Sequence, residues 1–279
     1  MKRTLDNRSR ALWLIALGLL ALTVILQVAA LWLDYETDAN YYRSGAVLPM
    51  LALLSAVLAS AFALVATLLT PASVLAISPI KREPLDWIAA SLSSTGFVIA
   101  ALLILFKNGI TPFPIVLSVF LLAAAMYPIL CRIPKMASRK VPLCFGFAAV
   151  VATILLNGYL YFDQTVEMNA PLKVAAHVAL LFLMLTVTEE LRYPLGIAKP
   201  RLYLILASCA LAASAVAAPT LGFVYLTNRL PRLDYFAYGL LLSLWMPSLL
   251  WSILTILRGT EENEKETTPE DTDRQKEED

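Results

Sequence analysis

Charge is scarce in this 279-residue chain, in which Asp, Glu, Lys and Arg together make up 15% of the residues. Soluble proteins carry about 25% charged and roughly 45–50% apolar residues, whereas 59% of this chain is apolar. Long uncharged apolar runs recur from end to end, so the sequence excludes a soluble globular fold. The formal net charge of +1 hides an asymmetry, because residues 261–279 hold ten acids and three bases.

Histidine and cysteine are scarce as well. A single histidine, His177, excludes a haem held by two histidines. The three cysteines, Cys131, Cys144 and Cys209, lack the paired spacing of a zinc site, so we predict no metal and no cofactor. We expect these thiols to be buried as small apolar side chains. The chain also lacks a G-x-x-x-x-G-K-[ST] loop, which excludes a built-in ATPase of that type.

Eight apolar runs, bounded by charges, proline or glycine, predict an all-α polytopic membrane bundle with eight transmembrane helices. Each run is near the roughly 17–25 residues that a membrane helix needs. The first run is longer than the core of a secretory signal, which has about 7–15 residues, so we expect it to remain as a helix. The predicted helices cover residues 11–33, 46–70, 87–106, 113–131, 143–162, 172–188, 202–227 and 235–257.

The lysines and arginines predict that both termini are cytoplasmic. With the N-terminus inside, 17 of the 22 lie in cytoplasmic segments, and the loops are short enough for the positive-inside rule. The chain then divides into a basic cytoplasmic N-terminus (1–10), a transmembrane domain (11–257) and a disordered acidic cytoplasmic tail (258–279). Aromatic residues at the outer helix ends, such as Tyr235, are typical of an interfacial belt. The lone glycosylation-type sequence, at Asn7, falls on the cytoplasmic side, which favours a bacterial inner membrane.

Small residues predict how the helices pack, because lipid gives little hydrophobic drive to their association. The hydroxyls of residues 91–95 indicate either helix packing or a solute path. Pro219 indicates either a plain kink or a broken helix that lines a site. Two similar outer turns, 34–49 and 163–171, are compatible with a parallel repeat of four plus four helices. Small residues recur at four-residue steps at Ala52, Ala56 and Ser60, and again at Ala210, Ser214 and Ala218.

A cluster of polar residues surrounds the outer turn between the fifth and sixth predicted helices. Lys173 and His177 lie one turn apart on one helix face, and Asn157 and Tyr161 have the same spacing on the preceding helix. A cation near a helix N-terminus opposes the helix dipole, so we expect an acid to compensate Lys173. The candidate ligand-binding residues are Asn157, Tyr161, Glu167, Asn169, Lys173 and His177.

Two interpretations of this cluster remain open. It could form a pocket for a ligand or a proton, in which His177 titrates. Alternatively, Lys173 snorkels to the headgroups, Glu167 or Asp163 balances it, and His177 bonds a neighbouring helix. In both cases we expect Asn169 to be the N-cap of the sixth helix and Pro171 to lie in its first turn.

Two sequence runs invite comparison with known families. Thr188–Arg192 is similar in part to the paired-glutamate motif of intramembrane CAAX-type proteases, but its arginine is spaced differently and further histidines are missing. We therefore interpret it as a cytoplasmic helix end with surface charges. The runs 167–173, 189–192 and 200–203 resemble those of uncharacterised multi-pass membrane proteins of bacteria, over the fifth to seventh helices. That resemblance implies a bacterial origin and no activity.

Three functions follow as hypotheses. The near absence of buried charge favours a non-catalytic membrane protein that is sensory, regulatory or a subunit of a complex. Its partners would be the lipid bilayer and either another membrane protein or a second copy, with no nucleic acid. The alternative is a small-solute or lipid permease with an outward-facing site on the hairpin of the fifth and sixth helices. It would need a cavity lined by Asn157, Lys173 and His177. An intramembrane enzyme is least favoured.

Overall fold

The computed structural model describes residues 7–36, 39, 41–70, 75, 83–109, 111–133, 140–163, 170–227 and 233–265. This part of the chain forms eight α-helices and one short antiparallel hairpin, in which Tyr35 pairs with Tyr42. In chain order the elements are α1 (Asn7–Leu33), β1 (Tyr35–Glu36), β2 (Tyr41–Tyr42), α2 (Leu48–Leu69), α3 (Pro84–Asn108), α4 (Pro112–Leu130), α5 (Val141–Phe162), α6 (Pro171–Glu190), α7 (Pro200–Thr227) and α8 (Leu233–Lys265).

All eight helices are long and apolar enough to cross a membrane, so the fold is that of a multi-pass membrane protein. The eight predicted helices are confirmed, and each predicted boundary lies within four residues of the observed span. Beyond its span, α8 continues as helix through Lys265, into the segment predicted to be disordered. Residues 266–279 lie outside the described part of the chain.

Proline opens most of the helices. A proline at the first helical position has no N–H to leave unpaired, and its fixed φ already suits the helix. The residue before α6 is Ala170, so the prediction of Asn169 as the N-cap is wrong. The placement of Pro171 in the first turn is confirmed. Proline occupies the first or second position at Pro49, Pro84, Pro112, Pro142, Pro171 and Pro200.

Six of the helices close a ring. Each helix from α3 to α8 packs against the next one in the chain, and α8 returns to pack against α3. The helices α1 and α2 lie outside this ring, and both of them pack against α7. As a result, α7 packs against α1, α2, α6 and α8, and it is the most buried span. The helices α2 and α6 flank α7, and they are not among the helix pairs in substantial contact within the described residues.

The small residues of α2 and α7 lie at these helix contacts. Ala52 and Ala56 of α2 are buried, as are Ala210, Ser214 and Ala218 of α7, which confirms the packing interpretation. In a repeat of four plus four helices, the pair α6 and α7 would correspond to the pair α2 and α3. In the described residues α6 packs against α7, but α2 and α3 make no equally substantial contact. The repeat of four plus four helices therefore stays a prediction.

Of the four hydroxyls at residues 91–95 of α3, those of Ser93 and Ser94 are buried, whereas Ser91 and Thr95 are exposed. Ser93 donates to the carbonyl oxygen of Ala89 one turn earlier, and Ser94 donates to that of Ala125 in α4. Neither hydroxyl is exposed. In α7 the helix runs unbroken past Pro219, which excludes the broken helix, the second of the two interpretations of that proline.

The contacts define two ends of the bundle. At the terminal end, where α1 begins and α8 finishes, Ser9 of α1 bonds Thr70 at a distance of 2.8 Å, and Arg201 donates to the Thr70 carbonyl at 3.1 Å. At the hairpin end, β1 and β2 join α1 to α2. Successive helices run between these two ends in alternating directions.

Gly239 lies where α7 and α8 approach each other closely, so a substitution at this position tests that contact. A Cβ atom at this position would lie 3.0 Å from Leu221 Cβ and 3.3 Å from the Gly222 nitrogen, which are atoms of α7. We expect Gly239→Leu to lower the free energy of unfolding by about 1–3 kcal/mol, because the added side chain overpacks the interface. Thermal unfolding of the purified protein measures the effect.

Gly18→Leu is the matched control, since a Cβ there meets nothing within 4 Å. It should leave stability unchanged or raise it by up to about 1 kcal/mol, through the better helix propensity of leucine. Equal effects of the two substitutions would contradict the close contact between α7 and α8.

Candidate functional site

The predicted cluster on α5 and α6 is partly assembled. His177 Nδ1 lies 3.0 Å from Asn157 Oδ1, so the two helices are joined by this hydrogen bond. Lys173 is 2% exposed, and its Nζ donates to the Asp163 carbonyl oxygen at 2.5 Å. Within the described residues, the buried Nε2 of His177 has no hydrogen-bond partner. The structure therefore brings Asn157 and His177 together, with Lys173 bonded to the end of α5.

The other predicted members of the cluster do not join this contact. Tyr161 is 58% exposed and stacks edge-on against Phe162, so it lies on the outer surface of the bundle. Glu167 and Asn169 lie outside the described residues. Lys173 bonds the backbone carbonyl of Asp163, one of the two acids proposed to compensate it, so compensation by an acidic side chain stays a prediction.

A wider polar network at the hairpin end surrounds Asp163. Its carboxylate accepts a hydrogen bond of 2.5 Å from the hydroxyl of Tyr235, at the start of α8. Tyr235 and Tyr238 are fully buried, so they are not members of the interfacial belt predicted for this region. The other members of the network are Lys107 bonded to Asp234, and Tyr159 bonded to Asn108. Within this network Tyr235 and Asp234 are buried, since the helix ends of the ring face one another, whereas Lys107 remains exposed.

A buried ion pair lies at the opposite, terminal end. Arg132 follows α4 and donates through Nη2 and Nε to Asp86 Oδ1, at 2.7 and 3.0 Å. Its Nη1 donates to the carbonyl oxygen of Pro128 at 2.7 Å. Both charged side chains are at most 2% exposed. Such a pair stabilises the fold only while both partners remain, because either charge alone would be buried without compensation.

Two glutamates lie at the end of α6, near the ion pair of Asp86 and Arg132. Glu189 is 4% exposed and bonds Arg192, and Glu190 is half-buried and interacts electrostatically with Arg132 and Asp86. The interpretation of this run as surface charges is therefore wrong. The ring explains the difference, because it turns the last residues of α6 towards α3 and α4. We call Asp86, Arg132, Glu189, Glu190 and Arg192 the terminal-end cluster.

The cysteines differ in their surroundings. Cys131 is buried beside the terminal-end cluster, where burial and the nearby Glu190 charge raise the pKa of its thiol to about 12. Cys144 is exposed, so the expectation of burial is wrong for this residue. Cys209 is half-buried.

A cavity of about 730 Å³ lies between α2 and α6, with α7 as its floor. We call it the lateral groove. Its walls are apolar, with Met50, Leu53 and Val57 on α2 facing Val174 and Val178 on α6. These side chains are also exposed, which places the mouth of the groove on the outer surface of the bundle. The groove exists because α2 and α6 both pack on α7 and leave a gap between them.

Polar groups line the hairpin end of the lateral groove. The Gln27 side chain is 2% exposed, and its Nε2 donates to the Tyr42 hydroxyl at 2.7 Å and to Thr220 Oγ1 at 2.8 Å. Burial raises the pKa of Tyr42, which keeps its phenol protonated. Arg43, next to Tyr42, lines the groove and lies 3.5 Å from Glu36 through its Nε. We call Gln27, Tyr42, Arg43 and Thr220 the polar corner.

None of the four predicted site residues that the structure describes, Asn157, Tyr161, Lys173 and His177, lines the lateral groove. Lys173 and His177 share α6 with Val174 and Val178, but they face α5 instead. The sequence does carry a weak signal for the polar corner, since Gln27 interrupts the apolar run of α1. No motif marks the other three residues, because they meet only when α1 and α7 pack together.

The ion pair of Asp86 and Arg132 yields a stability prediction. Asp86→Ala leaves the Arg132 guanidinium without its carboxylate in a buried site, so we expect the free energy of unfolding to fall by about 3–5 kcal/mol. Thermal unfolding in lipid nanodiscs measures the loss. Replacing both residues with apolar ones, as Asp86→Leu with Arg132→Met, should restore much of the stability.

Glu36→Ala is the control for this prediction, because it removes an ion pair whose side chains are 53% and 65% exposed. Its effect should stay within about 1 kcal/mol. If Asp86→Ala proved no more harmful than Glu36→Ala, the buried pair would not stabilise the terminal end.

No known protein family, no curated protein and no solved structure matches the chain. Its function must therefore be inferred from the arrangement of its own residues.

Proposed function

We propose that the protein is a non-catalytic, multi-pass membrane protein that binds one amphipathic lipid in the lateral groove. Lipid binding would serve a sensory or regulatory role, or a role as a subunit of a membrane complex. The observation that carries the proposal is the groove itself, an apolar slot that opens to the membrane and ends in a polar corner.

The size and lining of the groove suit a single lipid. Small-molecule sites usually enclose about 300–1,000 Å³ and combine apolar walls with a few placed polar groups. The cavity of about 730 Å³ falls within this range, and the exposed residues at its mouth let a chain enter from the bilayer. Water would be a poor occupant of the apolar part, because the walls offer it few hydrogen-bond partners.

The polar corner suits the head of that lipid. Arg43 supplies a guanidinium, which binds phosphate oxygens well. Tyr42 and Thr220 place hydroxyls beside it, held by the amide of Gln27. The corner lies at the hairpin end, where a lipid head would meet the headgroup layer while its chain follows α2 and α6.

The proposal includes an orientation and a location. The bias of Lys and Arg, 17 of 22 on one side, supports cytoplasmic termini in a bacterial inner membrane. The polar corner would then lie in the outer leaflet. The parallel four-plus-four repeat remains part of the proposal, with the two similar outer turns as its support. A partner membrane protein or a second copy would contact the exposed apolar faces. No catalytic residue and no cofactor are assigned.

A permease is the second candidate function. It is supported by the buried Lys173 and by the hydrogen bond between Asn157 and His177, which together place polar groups inside the hairpin end of the ring. Intramembrane polar residues of this kind often mark solute or proton pathways. The site predicted on the hairpin of α5 and α6 belongs to this candidate.

Blocking the lateral groove tests the proposed lipid binding. Val178→Trp places a large ring in the mouth of the groove, where Val178 is exposed. We expect this variant to lose most of the lipid that the wild-type chain retains through detergent purification, as counted by native mass spectrometry. Val119→Trp is the matched control, since Val119 is equally lipid-facing but lies on α4, away from the groove.

Equal lipid retention by the two variants would contradict the proposal. Reconstitution of the same proteins into vesicles separates the two candidate functions. A lipid permease would speed the exchange of a fluorescent phospholipid between leaflets, whereas a binding protein would leave the rate of exchange unchanged.

A further inference from the structure

The terminal-end cluster holds more carboxylates than cations. Asp86 pairs with Arg132, and Glu189 pairs with Arg192, its neighbour three positions along the chain. Each of these pairs is balanced in charge. Glu190 is the fifth member and interacts electrostatically with Arg132 and Asp86, whose charges already offset one another. With all five groups ionised, the cluster would carry a net charge of −1.

The helix dipole adds to the penalty on a negative charge at Glu190. The C-terminus of a helix bears a partial negative charge, which disfavours a carboxylate in the last turn. Glu190 is the last residue of α6, so its ionised form is opposed by its own helix. Asp86 has the opposite placement, in the first turn of α3, where the dipole stabilises it. Of these two carboxylates, Glu190 is therefore the one disfavoured as an anion.

Within the described residues, the groups that face Glu190 do not supply a further cation. Cys131 has a pKa raised to about 12, and burial likewise raises the pKa of Tyr193, so both stay neutral near pH 7. The side of α5 contributes Gly146, which packs against Leu191. Six titratable groups in the described part of the chain interact electrostatically with Glu190. They are Asp86 from α3, Tyr127 from α4, Cys131 and Arg132 from the turn after α4, Tyr193 from the turn after α6, and Tyr203 from α7.

We propose that Glu190 is a proton-binding site, which the terminal-end cluster fills with one proton to balance its charge. The side chain is half-buried, so the proton can exchange with water at that end of the bundle. Glu189 has an oxygen, Oε2, that is buried and lacks a hydrogen-bond partner within the described residues. This unsatisfied oxygen indicates that the end of α6 has too few cations or protons for its carboxylates. The site is independent of the lateral groove.

The pH dependence of stability tests this site on the full chain in lipid nanodiscs. A proton bound more tightly in the folded state stabilises the protein at low pH, and that stabilisation is lost as the pH rises and the proton leaves. We expect the melting temperature of the wild type to fall by at least about 3 °C between about pH 5 and about pH 9. Glu190→Gln mimics the protonated form, so its melting temperature should stay flat over this interval.

Two further variants serve as controls. Glu189→Gln removes the partner of Arg192 and should lower the melting temperature at every pH, while the slope of the wild type remains. Glu36→Gln changes an exposed glutamate at the hairpin end and should also keep that slope. A Glu190→Gln protein with the same slope as the wild type would overturn the proposal.

Infrared spectroscopy tests the same site if Glu190→Gln does not fold. Ionised carboxylates lack the carbonyl-stretch band of a protonated carboxylic acid, and exposed glutamates are ionised at neutral pH. We expect the wild type and Glu189→Gln to show this band near pH 7 and to lose it as the pH rises. Its absence from the wild type at neutral pH would overturn the proposal.

Discussion

Close packing of small side chains on α7 is the constraint on which the rest of the structure depends. Lipid chains are as apolar as the helices, so burial of apolar surface gives the helices little reason to associate. The alanines and serines of α7 let α1, α2, α6 and α8 approach its backbone closely. Because one helix organises four neighbours, α2 and α6 are placed side by side without filling the space between them. The lateral groove is a consequence of that arrangement.

Several charges of the bundle follow the helix dipoles. Asp86 and Asp234 lie in the first turns of α3 and α8, and Lys107 lies in the last turn of α3. Each of these charges is stabilised by the helix that carries it. In α6 the order is reversed, with Lys173 near its start and two glutamates at its end. A helix with unfavourable charges at both ends needs compensation from its neighbours, which the backbone carbonyl of Asp163 and the guanidinium of Arg192 supply in part.

The sequence predicts the helices well and their mutual contacts poorly. Span length and charge position are local properties, and they sufficed to place all eight helices. The pairing of Asp86 with Arg132 joins residues 46 positions apart, at the start of one helix and just after the end of another. Both residues lie beside loops rich in charge, where they read as ordinary surface groups. Only closure of the ring turns them inward.

The candidate site shows the same limit. The bond between Asn157 and His177 joins neighbouring helices at one depth, so spacing alone could suggest it. The contact of Gln27 with Thr220 spans 193 positions and depends on the packing of α1 against α7. Helical spacing placed Tyr161 in the candidate site because spacing does not reveal which face of α5 is exposed, whereas its position among the outer aromatic residues favours exposure.

The most direct test of the central claim is an experimental structure of the full chain in a lipid nanodisc. The account predicts an open gap between α2 and α6 on the surface of α7. It also predicts elongated density in that gap, with a compact head beside Arg43 and Gln27. Direct packing of α2 against α6, with no space between them, would contradict it.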